Sequence, residues 1–240
     1  MFLELQMKIP TFLTKNLSII KYSGLKFIHY PKQVQKDLFV RQSIEDFKIL
    51  NYQKCTNLKD AALFAEKYFG VKNFNITDLS SANLLNRTFT KIYNVTKGKA
   101  EFPPVVSVIK RRNSRFSGEC GVLHIEVIKN PYMENDIIHE IGHYNHQKCS
   151  LNYDKMGKLQ ELIADGIEDF SIYDQFRKEK KSLNLIKKHV RPYATSSAAE
   201  FVACTFNSII NGKKLPSEIY DLYKKYEGPF ANLFIAYRLK

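Results

Sequence analysis

The residues of this chain best suited to chemistry form the segment His139-Glu140-Ile141-Gly142-His143. In a helix, this spacing places both imidazoles on one face, about one turn apart, where they can bind a single zinc ion. The Glu140 carboxylate then lies beside the metal, where it can take a proton from zinc-bound water and pass it to a leaving amine. We therefore predict a catalytic zinc site on this helix.

A catalytic zinc ion usually has three protein ligands, so a third ligand is needed. His146 is a poor candidate because seven residues separate it from His139, about 10.5 Å along a straight helix, whereas zinc–nitrogen bonds are about 2.0–2.1 Å. The chain also lacks the glycine and third histidine that extend the motif in metzincins. We therefore expect a carboxylate from a later helix, and two residues offer one, Glu161 and Glu200.

Glu200 lies in a segment with a second recognisable pattern, in which Tyr193 is followed by six residues and then by Glu-Phe-x-Ala. With the HExxH segment, this pattern resembles the lethal-factor-like zinc metallopeptidases, a gluzincin group that includes the clostridial Pro-Pro endopeptidases. The resemblance covers roughly residues 103–228. It implies a zincin-like peptidase with one zinc ion bound by His139, His143 and Glu200. It also implies that Tyr193 donates a hydrogen bond to the developing oxyanion.

The chain departs from that family pattern in two ways. Cys204 stands where the family usually has a second glutamate, four residues after the ligand. The interval between His143 and Glu200 is also longer than usual, so Glu161 remains the alternative third ligand. The role implied for Tyr193 is physically reasonable, because a phenol that reaches the cleft can stabilise a tetrahedral oxyanion.

The elements that must position these residues follow from the hydrophobic spacing, which predicts an α+β fold. We expect a zincin-like core over residues 103–240, with a small sheet, the active-site helix and a C-terminal helical subdomain. An N-terminal accessory region, partly helical, is expected over residues 1–102, where it either precedes the core or contributes helices to it. The predicted helices cover residues 57–69, 78–93, 134–148, 155–180, 198–211 and 216–226, and the predicted strands cover 17–20, 26–30, 105–109 and 121–128.

Three local features refine this prediction. Asn57 is a candidate N-cap of the first helix, either Asp78 or Ser80 is a candidate N-cap of the second, and Gly70 is a candidate helix-ending residue. Gly142 lowers helix propensity, which indicates that another backbone packs closely against the helix there. The strand over 121–128 alternates apolar and polar residues, so we interpret it as an edge strand that could bind an extended peptide.

Composition limits the remaining possibilities. The net charge is +13, the four cysteines show no CxxC spacing, and no signal peptide or membrane span is evident. We therefore expect a cytoplasmic zinc endopeptidase acting on a protein or peptide substrate, with no membrane partner. The alternative is a basic structural or nucleic-acid-binding protein that retains a zinc site. The charge favours it, as does the similarity of residues 64–89 to segments that precede zincin domains in phage and mobile-element proteins.

Overall fold

The computed structural model describes residues 18–22, 25–29, 48–110 and 118–238. The chain divides into two units, Met1–Lys48 and Ile49–Lys240. In the first unit, strands β1 (Ser18–Tyr22) and β2 (Leu25–His29) pair antiparallel. The two short strands predicted near these positions are thus confirmed. The second unit contains all the candidate site residues.

The second unit is mostly helical. Its described helices are α1 (Leu58–Phe69), α2 (Leu79–Val95), α3 (Met133–Cys149), α4 (Leu159–Ala164), α5 (Ser171–Lys178), α6 (Lys180–His189), α7 (Ala198–Ile210), α8 (Ser217–Lys225) and α9 (Ala231–Arg238). Short 3-10 turns occur at Tyr153–Met156 and Pro192–Thr195. Among the residues with described positions, no helix is both long enough and apolar enough to cross a bilayer.

A small mixed sheet completes the unit. Its strands are β3 (Asn73–Asn75), β4 (Val105–Ile109), β5 (Gly118–Cys120) and β6 (His124–Ile128), in the order β3-β4-β6-β5. The pairs β3–β4 and β4–β6 are parallel, and β5 pairs antiparallel with β6. The fold class is therefore α+β, as predicted.

The prediction that the strand over residues 121–128 lies at the edge of the sheet is wrong, because β6 lies between β4 and β5. Among the described strands the edge position belongs to β5, which lies between the two predicted strands 105–109 and 121–128 in the sequence. Alternation of apolar and polar residues reports that one face of a strand is covered, and it carries no information about lateral neighbours.

The expected boundary at residues 102/103 falls inside the compact second unit. Strand β3 precedes that boundary and pairs with β4, which follows it. On α2, Leu85, Phe89 and Ile92 are fully buried in the common core. Residues 49–102 therefore share one hydrophobic core with the helices that carry the candidate site.

The helix ends in this region follow local chemistry. The Asn57 side chain accepts a hydrogen bond from the Asp60 N–H, which confirms it as an N-cap. Of Asp78 and Ser80, Asp78 is the residue that caps the next helix, since it accepts a hydrogen bond from the Ser81 N–H. Gly70 ends α1 with φ of 70°, a left-handed conformation that glycine adopts without steric cost.

The prediction of a single helix over residues 155–180 is wrong, because the chain turns twice within this segment. Gly157 has extended backbone and separates the 3-10 turn from α4. Gly166 has φ of +72°, so the chain leaves helical geometry there and resumes only at α5.

The close approach predicted at Gly142 is confirmed. A Cβ atom on Gly142 would lie 3.2 Å from the Ala203 Cα and 3.1 Å from a ring carbon of Phe206. Helices α3 and α7 therefore pack almost backbone to backbone at this point. This contact brings residues near the start of α7 to the histidine-bearing face of α3.

Candidate metal centre

Helix α3 presents His139 and His143 on one face, as the four-residue spacing predicts. Both residues are 8% exposed, and their Nε2 atoms lie 3.1 Å apart. Ile137, Ile138 and Ile141 are fully buried and anchor the same helix in the core. The two imidazole nitrogens thus converge on one point from a rigid element.

Helix α7 brings Glu200 to that point. Its N-cap is Ser197, whose hydroxyl oxygen accepts a hydrogen bond from the Glu200 N–H at 3.1 Å. The Glu200 Oε2 atom lies 3.1 Å from His139 Nε2 and 3.5 Å from His143 Nε2. The structure therefore places the carboxylate of Glu200 directly against both histidines.

The alternative carboxylate, Glu161, is engaged elsewhere. It lies in the first turn of α4, where its Oε2 atom accepts a hydrogen bond from the Lys158 N–H at 3.2 Å. Its side chain is 62% exposed. Of the two carboxylates that the sequence left open, Glu200 is the one in contact with the histidines.

The three converging atoms have the spacing of metal ligands. Four ligands placed tetrahedrally about 2.0–2.1 Å from zinc are separated from one another by about 3.3 Å. The observed separations are 3.1, 3.1 and 3.5 Å. In addition, the buried Glu200 Oε2 atom has no hydrogen-bond partner within the part of the chain that the structure describes, an arrangement that is costly for a carboxylate unless a cation compensates it. The donor set fits a zinc ion.

A second grouping involves Cys204. Ligand atoms of His139, Glu200 and Cys204 all lie within 4.8 Å of one another, so this group could also hold a metal ion. However, the Cys204 sulfur lies 3.9 Å from His139 Nδ1, whereas Glu200 faces Nε2 of the same ring. The lone pairs of the two ring nitrogens point in different directions, so Cys204 is better placed as a neighbour of His139 than as a co-ligand.

The outer nitrogens of both histidines have neighbours that the sequence did not reveal. The Tyr153 hydroxyl lies 3.2 Å from His143 Nδ1. On the other side, Arg191 Nη2 lies 3.4 Å from His139 Nδ1, and Arg191 Nε donates a hydrogen bond to the Cys204 sulfur at 3.0 Å. A histidine that binds zinc through Nε2 carries its proton on Nδ1, so the Tyr153 hydroxyl oxygen can accept a hydrogen bond there and fix the orientation of the His143 ring. Arg191 has only donors, so its guanidinium packs beside His139 without accepting such a bond.

Glu140 is buried beside this centre. It is 6% exposed, and a Cβ atom on Gly118 of β5 would lie 2.8 Å from its Oε1 atom. The edge strand therefore passes directly over the carboxylate, which is possible because residue 118 is glycine. Burial raises the pKa of Glu140 to about 7, in the range where a carboxylate can both accept and release a proton near neutral pH.

Glu200 behaves in the opposite way. Burial alone would raise its pKa, but the closeness of His139 and His143 holds the pKa of Glu200 well below its usual range. The two glutamates therefore differ in character within one small volume. Glu200 is an ionised carboxylate facing the imidazoles, and Glu140 is a carboxyl poised to exchange a proton.

Tyr193 lies at the rim of the same centre. Its side chain is 46% exposed, and its ring centroid lies 6.2 Å from that of His139. The Arg191 guanidinium sits 5.3 Å from the Tyr193 ring centroid, a cation–π distance. Partial burial and the nearby Glu200 carboxylate raise the pKa of Tyr193 above its usual range, so the phenol keeps its proton and can donate it in a hydrogen bond.

His146 does not join the centre, as helix geometry predicts. It is fully buried, and its Nε2 lies 3.0 Å from the Tyr226 carbonyl oxygen. Burial lowers the pKa of His146 to about 3, so the ring is neutral. Its ring packs edge-on against Tyr153 at 5.1 Å, which makes it part of the support behind the Tyr153–His143 contact.

Comparisons of the whole chain with protein-family models, with curated proteins and with solved structures found no match.

Proposed function

We propose that this protein is a zinc-dependent endopeptidase with a zincin-like core. In this proposal His139, His143 and Glu200 bind one zinc ion per chain, Glu140 is the general base and acid, and Tyr193 stabilises the oxyanion. The observation that carries it is the triangle of two imidazole nitrogens and one carboxylate oxygen at the spacing of a zinc coordination shell. The assignment to the lethal-factor-like group rests on the sequence resemblance and is part of the same proposal.

The roles of the side chains follow from their positions. When bound, zinc would supply Lewis-acid polarisation of a water molecule and of the scissile carbonyl. Glu140 Oε would accept the proton of the attacking water and deliver it to the nitrogen of the leaving amine. The Tyr193 hydroxyl, reaching in from the exposed rim, would donate a hydrogen bond to the carbonyl oxygen as negative charge develops there.

The position of β5 suits a peptide substrate. It is a short edge strand, and its Gly118 lies against Glu140. An extended peptide that paired with the side of β5 that has no strand partner among the described residues would pass close to the proposed general base. This placement gives the edge-strand role expected from the sequence to β5 instead of β6.

The test combines metal content with cleavage. Zinc-supplied wild-type chain is expected to bind about one zinc ion and to cleave unfolded casein into fragments detectable by mass spectrometry. Glu140→Gln should keep the zinc and lose cleavage, because it removes only the proton acceptor. Glu200→Gln should lose most of the zinc, because an amide is a much poorer zinc ligand than a carboxylate.

Two matched variants control this experiment. Glu161→Gln makes the same change in a carboxylate that lies away from the histidines, and it should leave zinc content unchanged. Cys204→Ser should also keep stoichiometric zinc, since the sulfur faces the other nitrogen of His139. Absence of zinc from well-folded wild-type chain would contradict the proposal, and so would cleavage that persists in Glu140→Gln.

A further inference from the structure

The positive charge of the chain is concentrated in one segment. Residues 177–225 contain 11 basic residues (Lys and Arg) and only 4 acidic ones (Asp and Glu). Residues 49–176, by contrast, contain 16 basic and 15 acidic residues. More than half of the net charge of +13 therefore comes from the segment that runs from the end of α5 to the end of α8. A charge concentrated in this way creates a local field that attracts anionic partners.

Helix α6 displays the centre of this charge. Lys180, Lys181, Lys187 and Lys188 are all exposed, while Ile186 is fully buried on the opposite side. Seven residues separate Lys180 from Lys187 and Lys181 from Lys188, so the four ammonium groups share one face over two turns. The helix contains no acidic residue. Within the described parts of the chain, none of these four lysines forms an ion pair, although the preceding Glu179 pairs with Lys225.

Stability of the helix does not account for all four lysines. Lys187 and Lys188 lie in the last turn, where cations interact favourably with the helix dipole. Lys180 and Lys181 lie in the first turn, where cations oppose the dipole and lower helix stability. The first pair is therefore better explained by something that α6 binds than by the folding of α6.

The lysine face borders a groove between α6 and α8. The groove has a volume of about 640 Å³, and its lining includes Lys181, Leu185 and Lys188 from α6 together with Leu222 and Lys225 from α8. It thus offers apolar contacts beside cationic ones. These are the contacts that a polypeptide segment with both acidic and apolar side chains would make.

The basic face continues to the rim of the candidate metal centre. Helix α6 ends at His189, and two residues later the Arg191 guanidinium lies against His139 and Tyr193. Lys213 adds another cation at the same end of α6, since its Nζ donates a hydrogen bond to the Val190 carbonyl oxygen at 3.3 Å. A chain bound along α6 would therefore be led towards the proposed active site.

We propose that the exposed lysine face of α6, with the groove towards α8, is an exosite for an acidic segment of the protein substrate. The word substrate rests on the function proposed above, whereas binding of an acidic polypeptide here does not require catalysis. Two features favour polypeptide over nucleic acid. The groove also contains Glu218 and Asp221, which repel any anion beside them. A polypeptide can place apolar side chains there and its acidic ones against the α6 lysines, whereas a phosphate backbone is anionic at every nucleotide. The aromatic residues of α8, Tyr220 and Tyr223, are buried and offer no stacking surface for bases.

The test measures binding on a full-length chain that carries Glu140→Gln, so that the probe is not consumed. The probe is a short fluorescein-labelled peptide rich in Glu and Leu, followed by fluorescence anisotropy at low and moderate salt. Reversal of all four α6 lysines, K180E/K181E/K187E/K188E, is expected to weaken binding about tenfold or more, because each lost ion contact also becomes a repulsion. A version with glutamine at the four positions should show a smaller loss, and it replaces the first variant if that variant does not fold.

The matched control is K54E/K59E/K67E/K72E, which changes the net charge by the same amount at four exposed lysines elsewhere. It should weaken binding by no more than about threefold through the long-range field. An equal loss in both variants would overturn the exosite. Tighter binding of a short DNA duplex than of the peptide, with the same dependence on α6, would overturn it in favour of a nucleic-acid surface.

Failure of the exosite can be told apart from failure of the peptidase. If the wild-type chain cleaves no peptide but binds the acidic probe through α6, the function proposed above fails and the binding surface stands. If the wild-type chain cleaves peptides but replacing the α6 lysines leaves binding of the probe unchanged, the exosite proposal fails and the peptidase proposal stands. In a chain that does both, adding an acidic tail to a cleaved peptide should lower KM with little change in kcat.

Discussion

At the scale of single residues, the contact between Tyr153 and His143 carries a specific prediction that rests on the proposed zinc site. Tyr153→Phe removes only the hydroxyl that lies 3.2 Å from His143 Nδ1. Losing a partner of this kind typically weakens metal affinity by about 10- to 100-fold. We expect a zinc affinity about tenfold lower, measured by competition with a chromophoric chelator. Tyr132→Phe, at a tyrosine that is 71% exposed, is the control and should have no effect.

The residues of the centre differ in how visible they are in sequence. His139, Glu140 and His143 are adjacent along one helix, so their spacing alone predicts their geometry. Tyr153 and Arg191 lie in or beside 3-10 turns with no periodic pattern, and they reach the histidines only through tertiary packing. No local pattern marks such residues in a single sequence, since each lies outside the helix that carries its partner.

Glu200 could be predicted only in part from the sequence. Chemistry required a carboxylate and left two candidates, and the resemblance selected the one that the structure places at the histidines. The deciding physical feature is the contact at Gly142, which brings α7 close enough to α3. Glycine at this position was readable as a sign of close packing, but the identity of the packed helix was not.

At the scale of elements, the α3–α7 contact can be tested with Gly142→Ala. Alanine improves helix propensity by about 1 kcal/mol, but its Cβ atom would lie 3.2 Å from the Ala203 Cα, a backbone atom that cannot move aside alone. Overpacking of this kind typically costs about 1–3 kcal/mol. We expect a net loss of about 1 kcal/mol in the free energy of unfolding, measured by urea denaturation.

The control for this variant lies on the same helix. Lys148 is exposed, and Lys148→Ala should change the free energy of unfolding by less than about 0.5 kcal/mol. A Gly142→Ala chain at least as stable as wild type would show that the two helices can separate without cost. The proposed role of Gly142 in positioning Glu200 would then be wrong.

The N-cap of α2 gives a prediction with a pH dependence. Partial burial raises the pKa of Asp78, but hydrogen bonds from Ser80 and Ser81 and the contact with Lys129 outweigh it and hold the pKa well below the usual range. Asp78→Ala is expected to lower the free energy of unfolding by about 1 kcal/mol at neutral pH. Because the folded-state pKa is the lower one, this contribution is present at neutral pH and is lost as the pH falls below about 4.

The measurement is urea denaturation of wild type and Asp78→Ala at neutral and acidic pH. The difference in stability between the two chains should shrink on acidification. Asp78→Asn serves as the control, because asparagine caps helices about as well as aspartate and should lose less stability at neutral pH. A difference that grows on acidification would contradict the role of the ionised carboxylate.

The elements also show which sequence signals fail. Capping chemistry is local, so the ends of α1 and the start of α2 followed from single side chains. The break between α4 and α5 depends on φ of +72° at Gly166. The sequence does not show whether a glycine within an otherwise helical pattern will adopt that conformation. Strand β5 has three residues, too few to show a period, and it exists only because β6 pairs with it.

At the scale of the whole molecule, the joint core shows that α1, α2 and β3 contribute to the unit that carries the candidate site, which is one of the two arrangements that the sequence left open for the N-terminal region. The pattern of apolar residues changes after Pro103 and Pro104, which precede β4, and this change indicates a boundary near them. Pairing of β3 with β4 and burial of Leu85, Phe89 and Ile92 in the common core were not visible from composition. A shift in local composition marks a change of element as readily as a change of domain.

This difference can be tested by truncation. A chain of residues 49–240 retains the whole second unit and is expected to fold cooperatively and, if the proposed site is correct, to bind zinc. A chain of residues 103–240 loses β3 and the buried face of α2, which exposes apolar core surface and removes the lateral partner of β4. We expect it to aggregate or to lack a cooperative transition in circular dichroism. Cooperative unfolding and zinc binding by the 103–240 chain would support the predicted boundary, and would show that α1 and α2 pack on a core that is already complete without them.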